Sequence, residues 1–413
     1  RVQSQPVALS LISGIISGGA NVVDAGMVPT PALLYTLKDL KLDGAVMVTG
    51  SHSIPEITGI LIFKNDTSEF NKDEEKKFED LYFSENKLNR VPWNRVGWID
   101  SYENVFDHYF ENVVSRVKLS KVDSFKVVID PGHGVMSGVL SRILVYAGVK
   151  IVSINDILDP TFPVRDPYPR PENLIELGKL TIASNSDIGV GTDGDGDRAI
   201  FADEQGNILW GDITGALFAV DVIKKGFDDR IVIPINTSMM AEVVIKKNGG
   251  KIIYSAVGPP AIVDTMKKNN VYFGFEESGK YIWSDGIWYG DAALATLRML
   301  EIINKHGKPL SQLVSDYPKF HLVKIALRCR DKIKSLVLEK TVKEISNKID
   351  EKFELVAIDG AKFIFPDSSW LLIRPSGTEP IFRVFAEAKD KKKAENLAQL
   401  GADIVKKYIQ QFS

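Results

Sequence analysis

The chain has 413 residues, 44% of them apolar and 25% charged, and 51 basic against 54 acidic side chains give a formal charge of −3. This is the profile of a soluble globular protein, and it excludes capture of nucleic acid or of an acidic membrane by the overall field, so an anionic ligand must be held by a local basic site. The length calls for several domains, and the single cysteine, Cys329, excludes an internal disulfide, fits a reducing, cytoplasmic setting and reads as a buried structural thiol.

Arg1 leads directly into an apolar-rich helical segment with no signal-peptide pattern, and because the chain does not begin with Met, further N-terminal sequence is expected. The longest apolar runs are about six residues, well short of the roughly 20 needed to cross a bilayer. From there on, short β-branched runs alternate with amphipathic helical stretches, which predicts α/β layers with parallel or mixed sheets. LDGAVMVTG (42–50) reads as a strand ending in a glycine turn, with Ser51 and His52 on the loop that follows. FKVVIDPGHG (125–134) is a strand followed by a glycine-rich loop, and in DIGVGTDGDGDRAIFAD (187–203) two strand-like runs flank an acidic loop. RIVIPINTS (230–238) and KIIYSAVGPP (251–260) repeat the theme. Joints are expected near 118–124, 224–226 and 306–309. After Tyr317 the strands SWLLIR and IFRVFAEA enclose a tight loop, and a helix from Asp390 carries Ala394, Leu397, Leu400, Ile404 and Tyr408 on one face. The resulting fold class is α/β in four domains: 1–121, 122–224 and 225–316 with mixed sheets, and a smaller α+β unit over 317–413.

Asp193, Asp195 and Asp197 alternate with glycines in GTDGDGDR. Three converging carboxylates need a cation, and hard oxygen ligands favour Mg²⁺ or Ca²⁺ over zinc. The spacing to Glu204 also matches an EF-hand, but Arg198 occupies the position that demands glycine and the flanks read as strands, so Mg²⁺ is favoured. Arg198 is placed to hold a phosphate that the metal also touches. RPSGTEP (374–380) offers Arg374, Ser376, Gly377 and Thr378, with Arg383 on the next strand, a donor set suited to a phosphate dianion. GFEESGKYIW (274–283) offers Glu276, Glu277 and Ser278, groups that chelate sugar hydroxyls. Taken alone, Ser51 reads as an ordinary turn residue; beside a metal loop and a phosphate loop it reads as a phosphoryl carrier.

In this order the four motifs resemble those of the α-D-phosphohexomutase family, which includes phosphoglucomutases, phosphomannomutases and phosphoglucosamine mutases. TGSHS is similar to the family's T-A-S-H-N serine loop, GTDGDGDR to its metal loop, FEESGK to its G-E-x-S-G-H sugar loop and RPSGTEP to its phosphate loop. GMVPTPAL (26–33), PRPENL (169–174) and SAVG before Pro259 agree more weakly, and the last brings in Gly258 as a substrate contact. The resemblance implies four domains around a central cleft and a phosphoserine at Ser51 that binds Mg²⁺ together with the three aspartates. Arg198, Glu276, Ser278 and the loop from Arg374 to Thr378 would contact the phosphosugar. It also implies a carbohydrate-metabolising isomerase that interconverts hexose 1- and 6-phosphates of glucose or mannose, with hexose 1,6-bisphosphate as intermediate and activator. Phosphoglucosamine mutase, a weakened phosphosugar-binding paralogue and a phosphatase are the alternatives, and a homo-oligomer is left open. The chain departs from the pattern at Gly50, Ser53, Ile54, at Leu61 in place of a lysine and at Lys280 in place of a histidine, and the family's opening glycine- and arginine-rich segment is absent. Lys280 is accordingly the expected substitute for the missing cationic or acid-base group, with His52 as the other candidate base.

Overall fold

The structure, a computed structural model, describes residues 1–84, 90–118, 124–377 and 379–413. Thr378 and the expected first domain boundary at 121 lie outside the described residues.

The apolar runs read from the sequence become strands in four successive groups. Near the N-terminus Val22–Asp24 pairs in parallel with Ile99–Ser101, and Gly44–Thr49 forms an antiparallel hairpin with Gly59–Lys64. The second group is a five-stranded mixed sheet. Its order is Lys150–Ser153, Lys126–Asp130, Ile188–Thr192, Ala199–Ala202 and Ile208–Leu209. All five residues of Ile188–Thr192 are buried, as expected for a strand covered on both faces. Gly189 and Gly191 in this strand allow the close approach of helix Ile175–Ala183, because a Cβ at either would strike Leu177 or Leu174.

The third sheet has the order Lys251–Ser255, Arg230–Pro234, Phe273–Phe275 and Tyr281–Trp283, with helix Gly211–Lys224 against it. The last is antiparallel throughout: His321–Arg328, Ile381–Ala388, Trp370–Pro375, Ala361–Ile364 and Glu354–Val356. Helices Lys334–Lys348 and Lys391–Phe412 pack on this sheet, and Asp390 caps the second through its carboxylate. Cys329 is a buried free thiol. Among the described residues no helix is long and apolar enough to cross a membrane.

One apolar cluster runs from Val28 to Leu310 through the first three groups, while the last sheet encloses a core of its own around Val337, Phe363, Ile373 and Phe382. The final unit therefore meets the rest of the chain across a seam. There Glu387 accepts bonds from Ser238 Oγ, the Met239 N–H and Trp370 Nε1, each at 2.7 Å. Beside it Lys362 is fully buried, with its ammonium 3.3 Å from the Thr237 carbonyl and 4.4 Å from the Trp370 ring centre. Burial pushes this lysine down to about 8, although Glu242, Glu387 and Asp212 pull the other way. Between about 8 and the ordinary 10.5 the unfolded chain holds a proton that the folded chain has released, so this group makes stability rise with pH through that window. The gain is on the order of 3 kcal/mol. Denaturant titrations from pH 7 to 10 should show this increment in the wild type and its loss in Lys362→Met.

Candidate active site

The strands Ile188–Thr192 and Ala199–Ala202 are antiparallel neighbours, and residues 193–198 close the turn between them. Asp193, Asp195 and Asp197 are all buried there, with one carboxylate oxygen of each within 4.8 Å of the others. Asp193 Oδ1 accepts the backbone N–H groups of Gly196, Asp197 and Arg198 at 3.1, 3.2 and 3.3 Å. Asp195 Oδ2 accepts the hydroxyls of Thr30 at 3.0 Å and Thr49 at 3.2 Å, while its Oδ1 is buried with no hydrogen-bond partner. Asp197 Oδ2 lies 2.7 Å from the Lys280 ammonium. Burial, then the neighbouring aspartates, pushes Asp193 well up, and burial also raises Asp195. At Asp197 the burial effect is outweighed by Lys280 and Arg198, which hold it down to about 2. A buried all-oxygen cluster with an orphaned carboxylate oxygen fits a small divalent cation. The EF-hand alternative fails on geometry: the flanks are strands, and Glu204 accepts bonds from the N–H and hydroxyl of Ser311 instead of joining the cluster.

The loop after Gly44–Thr49 brings Ser51 to this cluster. Its Oγ is 3.2 Å from Asp193 Oδ2 and 3.3 Å from His52 Nδ1. The loop is braced by the Ser51 N–H on Thr49 Oγ1 at 2.8 Å and by Arg1 Nη2, which donates to the carbonyls of Ser51 at 2.9 Å and Ser53 at 2.5 Å. His52 packs on Tyr168 at 5.0 Å between ring centres; burial, helped by Arg198, pushes its imidazole down to about 3, so it is neutral. Leu61, where the resemblance expects a lysine, packs instead against the core below the hairpin.

Arg198 is buried with Nε 3.8 Å from Asp193 and 3.7 Å from Asp197, and Nη2 3.7 Å from Glu276. Glu276 accepts the Ser278 hydroxyl, and its N–H donates to the Lys280 carbonyl at 3.0 Å, closing the sugar loop into a tight turn. Lys280 is itself buried, with its ammonium 4.0 Å from the Tyr289 ring centre. The structure thus gathers Ser51, His52, the three aspartates, Arg198, Glu276, Ser278 and Lys280 into one network, buried except at the partly exposed Ser51 and His52.

The phosphate loop stands apart from this network on the final sheet. Arg374 and Arg383 face each other across paired strands. Arg374 Nε donates to Asp359 at 2.7 Å, and the same Asp359 oxygen accepts the Val257 N–H at 3.1 Å, which ties the loop to the turn carrying Gly258. Arg383 is paired with Glu379. Ser376 is buried and its Oγ accepts the Glu379 N–H at 3.2 Å, while Gly377 is exposed with open space on its Cβ side.

Sequence reasoning missed several supports. Thr30 lies in the GMVPTPAL segment and Thr49 opens the TGSHS loop, both marked by the resemblance without a role for the threonine, and Tyr168 gave no signal. Neither did Lys334, whose buried ammonium donates to the Ser376 and Glu379 carbonyls at 2.6 Å each and so ties together the two ends of the phosphate loop.

Comparison with known proteins covers all four parts of the chain. Family profiles described as phosphoglucomutase/phosphomannomutase alpha/beta/alpha domains I, II and III match residues 1–89, 107–206 and 210–320, and the profile of the C-terminal domain matches 325–404. A phosphoglucomutase/phosphomannomutase of Thermococcus kodakarensis is 34% identical over 99% of this chain and 89% of its own. A phosphoglucosamine mutase of Methanococcus maripaludis is 32% identical over 98% and 90%. The crystal structure of a phosphoglucomutase/phosphomannomutase family protein from Burkholderia thailandensis superimposes with a TM-score of 0.85 at 24% identity, over 97% of this chain and 86% of that one. The chain belongs to the phosphoglucomutase/phosphomannomutase family. It has that family's four-domain α/β architecture and is an enzyme of the phosphohexomutase kind, an isomerase acting by intramolecular phosphoryl transfer.

Removing the Lys334 ammonium leaves the buried Ser376 carbonyl without this donor, leaves the Glu379 carbonyl with only the Ile381 N–H, and leaves the loop unbraced. Lys334→Met is expected to raise KM for a hexose monophosphate about tenfold with a smaller change in kcat, the mark of lost ground-state binding. Steady-state kinetics check it.

Proposed function

We propose that the enzyme moves a phosphoryl group between C1 and C6 of a neutral hexose, glucose or mannose, through a phosphorylated Ser51. The observation that carries this reading is the Ser51 hydroxyl 3.2 Å from the buried aspartate cluster, with a second set of phosphate donors on a separate domain. Asp193, Asp195, Asp197 and the Ser51 oxygen would hold Mg²⁺, which when bound neutralises charge on the transferring group.

The chain's own residues divide the remaining work. Arg198, poised between the aspartates and Glu276, binds equatorial phosphoryl oxygens. As a sugar hydroxyl attacks phosphoserine, its O–P bond forms, the Ser51 Oγ–P bond breaks, and the hydroxyl proton finishes on Oγ. His52, neutral and 3.3 Å from that oxygen, orients it and relays the proton. Lys280, sealed between Asp197 and the Tyr289 ring, serves as a fixed positive charge and not as a mobile acid or base. Glu276 and Ser278 hold sugar hydroxyls, and Arg374, Ser376, Gly377, Thr378 and Arg383 hold the phosphate that is not reacting. Gly258 borders that clamp through Val257 and Asp359. A bisphosphate intermediate held at both ends can present either phosphate to the serine, and the same hexose 1,6-bisphosphate would charge the resting enzyme. The preference for a neutral sugar is supported by the sugar loop, where both Glu276 and Glu277 already face cations.

³¹P NMR of wild type and Ser51→Ala with Mg²⁺, trace hexose 1,6-bisphosphate and glucose, mannose or glucosamine 1-phosphate tests the reading. A 6-phosphate signal that grows only with the serine, and faster for glucose or mannose, is expected. Release of free phosphate instead would make the protein a phosphatase, and conversion of no sugar by the wild type would make it a binding paralogue. Lys280→Met should lower kcat by about 100-fold if its fixed charge is needed in the transition state, whereas unchanged turnover would remove Lys280 from the mechanism.

A further inference from the structure

The residue between the two sugar-binding positions, Glu277, points away from the aspartate cluster toward the final domain. Its carboxylate lies 3.1 and 3.2 Å from Lys324 Nζ and accepts the Asn236 side-chain amide at 3.2 Å. Lys324 sits on the edge strand His321–Arg328, lies over the Phe385 ring at 5.3 Å and leaves 44% of its side chain exposed. A cleft of about 290 Å³ is lined by Glu277, Lys324, Ile325, Ala326, Arg383 and Phe385. Arg383 faces Arg374 on the paired strand, so this cleft joins the phosphate clamp to the sugar loop.

We infer that Lys324 is a specificity-determining residue: by occupying Glu277 from the neighbouring domain, it denies that carboxylate to the ammonium of a 2-amino sugar. The inference rests on the mutase reading above and names the side chain behind its preference for neutral hexoses. Glu276, the other carboxylate of the loop, is engaged by Arg198 and the Ser278 hydroxyl, so Glu277 is the group an amine would have to recruit. At 17% side-chain exposure Glu277 keeps access to the cleft, while a second cation brought beside it meets the charge of Lys324. Without Lys324 the same carboxylate keeps only the Asn236 amide and becomes a largely desolvated acceptor open to a charge-assisted bond.

The test compares wild type with Lys324→Met, Lys324→Gln, Lys324→Arg and Lys324→Met/Glu277→Gln. Its readout is the ratio of kcat/KM for glucosamine 1-phosphate to that for glucose 1-phosphate. The ratio is expected to rise about tenfold in the Met and Gln variants, mainly through a lower KM for the amino sugar. It should stay at the wild-type value in Lys324→Arg and return to it in the double variant. An unchanged ratio in both neutral variants, or a rise that survives Glu277→Gln, overturns the inference. Calorimetric binding of glucosamine 6-phosphate and glucose 6-phosphate to the same proteins gives the ratio without turnover. A wild type that converts neither sugar would defeat the mutase reading, and the binding ratio would still decide the role of Lys324.

Discussion

Three carboxylates buried within 4.8 Å of one another repel by about 3–4 kcal/mol per ionised pair, taking an effective dielectric constant of about 20, and much of the surrounding structure answers that repulsion. Three backbone amides close on Asp193, two threonine hydroxyls from the first domain close on Asp195, and a lysine from the third closes on Asp197. Each answer comes from a different stretch of chain. The cluster can therefore exist only when three domains are in place around it, and the same contacts that relieve the charge deliver Ser51 and the sugar loop to it.

The first three domains share one apolar core, whereas the last has its own and joins through a small apolar cluster of Ile235, Met239, Trp370 and Leu372 together with polar side chains. Glu387 on Ser238 and Met239, Asp359 on Val257 and Lys324 on Glu277 are contacts between units whose sheets do not join. Directional contacts of this kind fix the angle of the phosphate clamp relative to the sugar loop, and they respond to charge in a way the apolar cluster beside them does not.

The four motifs were legible because each is a short run whose residues act locally: alternating aspartates, a serine after a glycine turn, paired glutamates beside a serine, and a loop of hydroxyls and guanidinium. The α/β alternation and the Asp390-capped final helix followed from periodicity. Other features depend on which distant chain lies opposite. Lys334 and Lys362 belong to no motif, and both are buried by partners more than 40 residues away. Thr30 meets Asp195 across 165 positions. Lys280 was legible as a departure from a motif, but its confinement by Asp197 and Tyr289 was not.

Ser51 has a φ of +42°, in the left-handed region where a residue with a Cβ is strained by roughly 1–2 kcal/mol. A glycine there would relax the backbone, whereas Gly50 just before it answers a different need, since a Cβ there would strike the Ile57 carbonyl and the Arg1 guanidinium. On the phosphoserine reading, relaxation would cost the hydroxyl. The strain at Ser51 is thus stability given up to hold a hydroxyl at the aspartate cluster, and no relaxation of this backbone by glycine is open to the loop that keeps the oxygen in place.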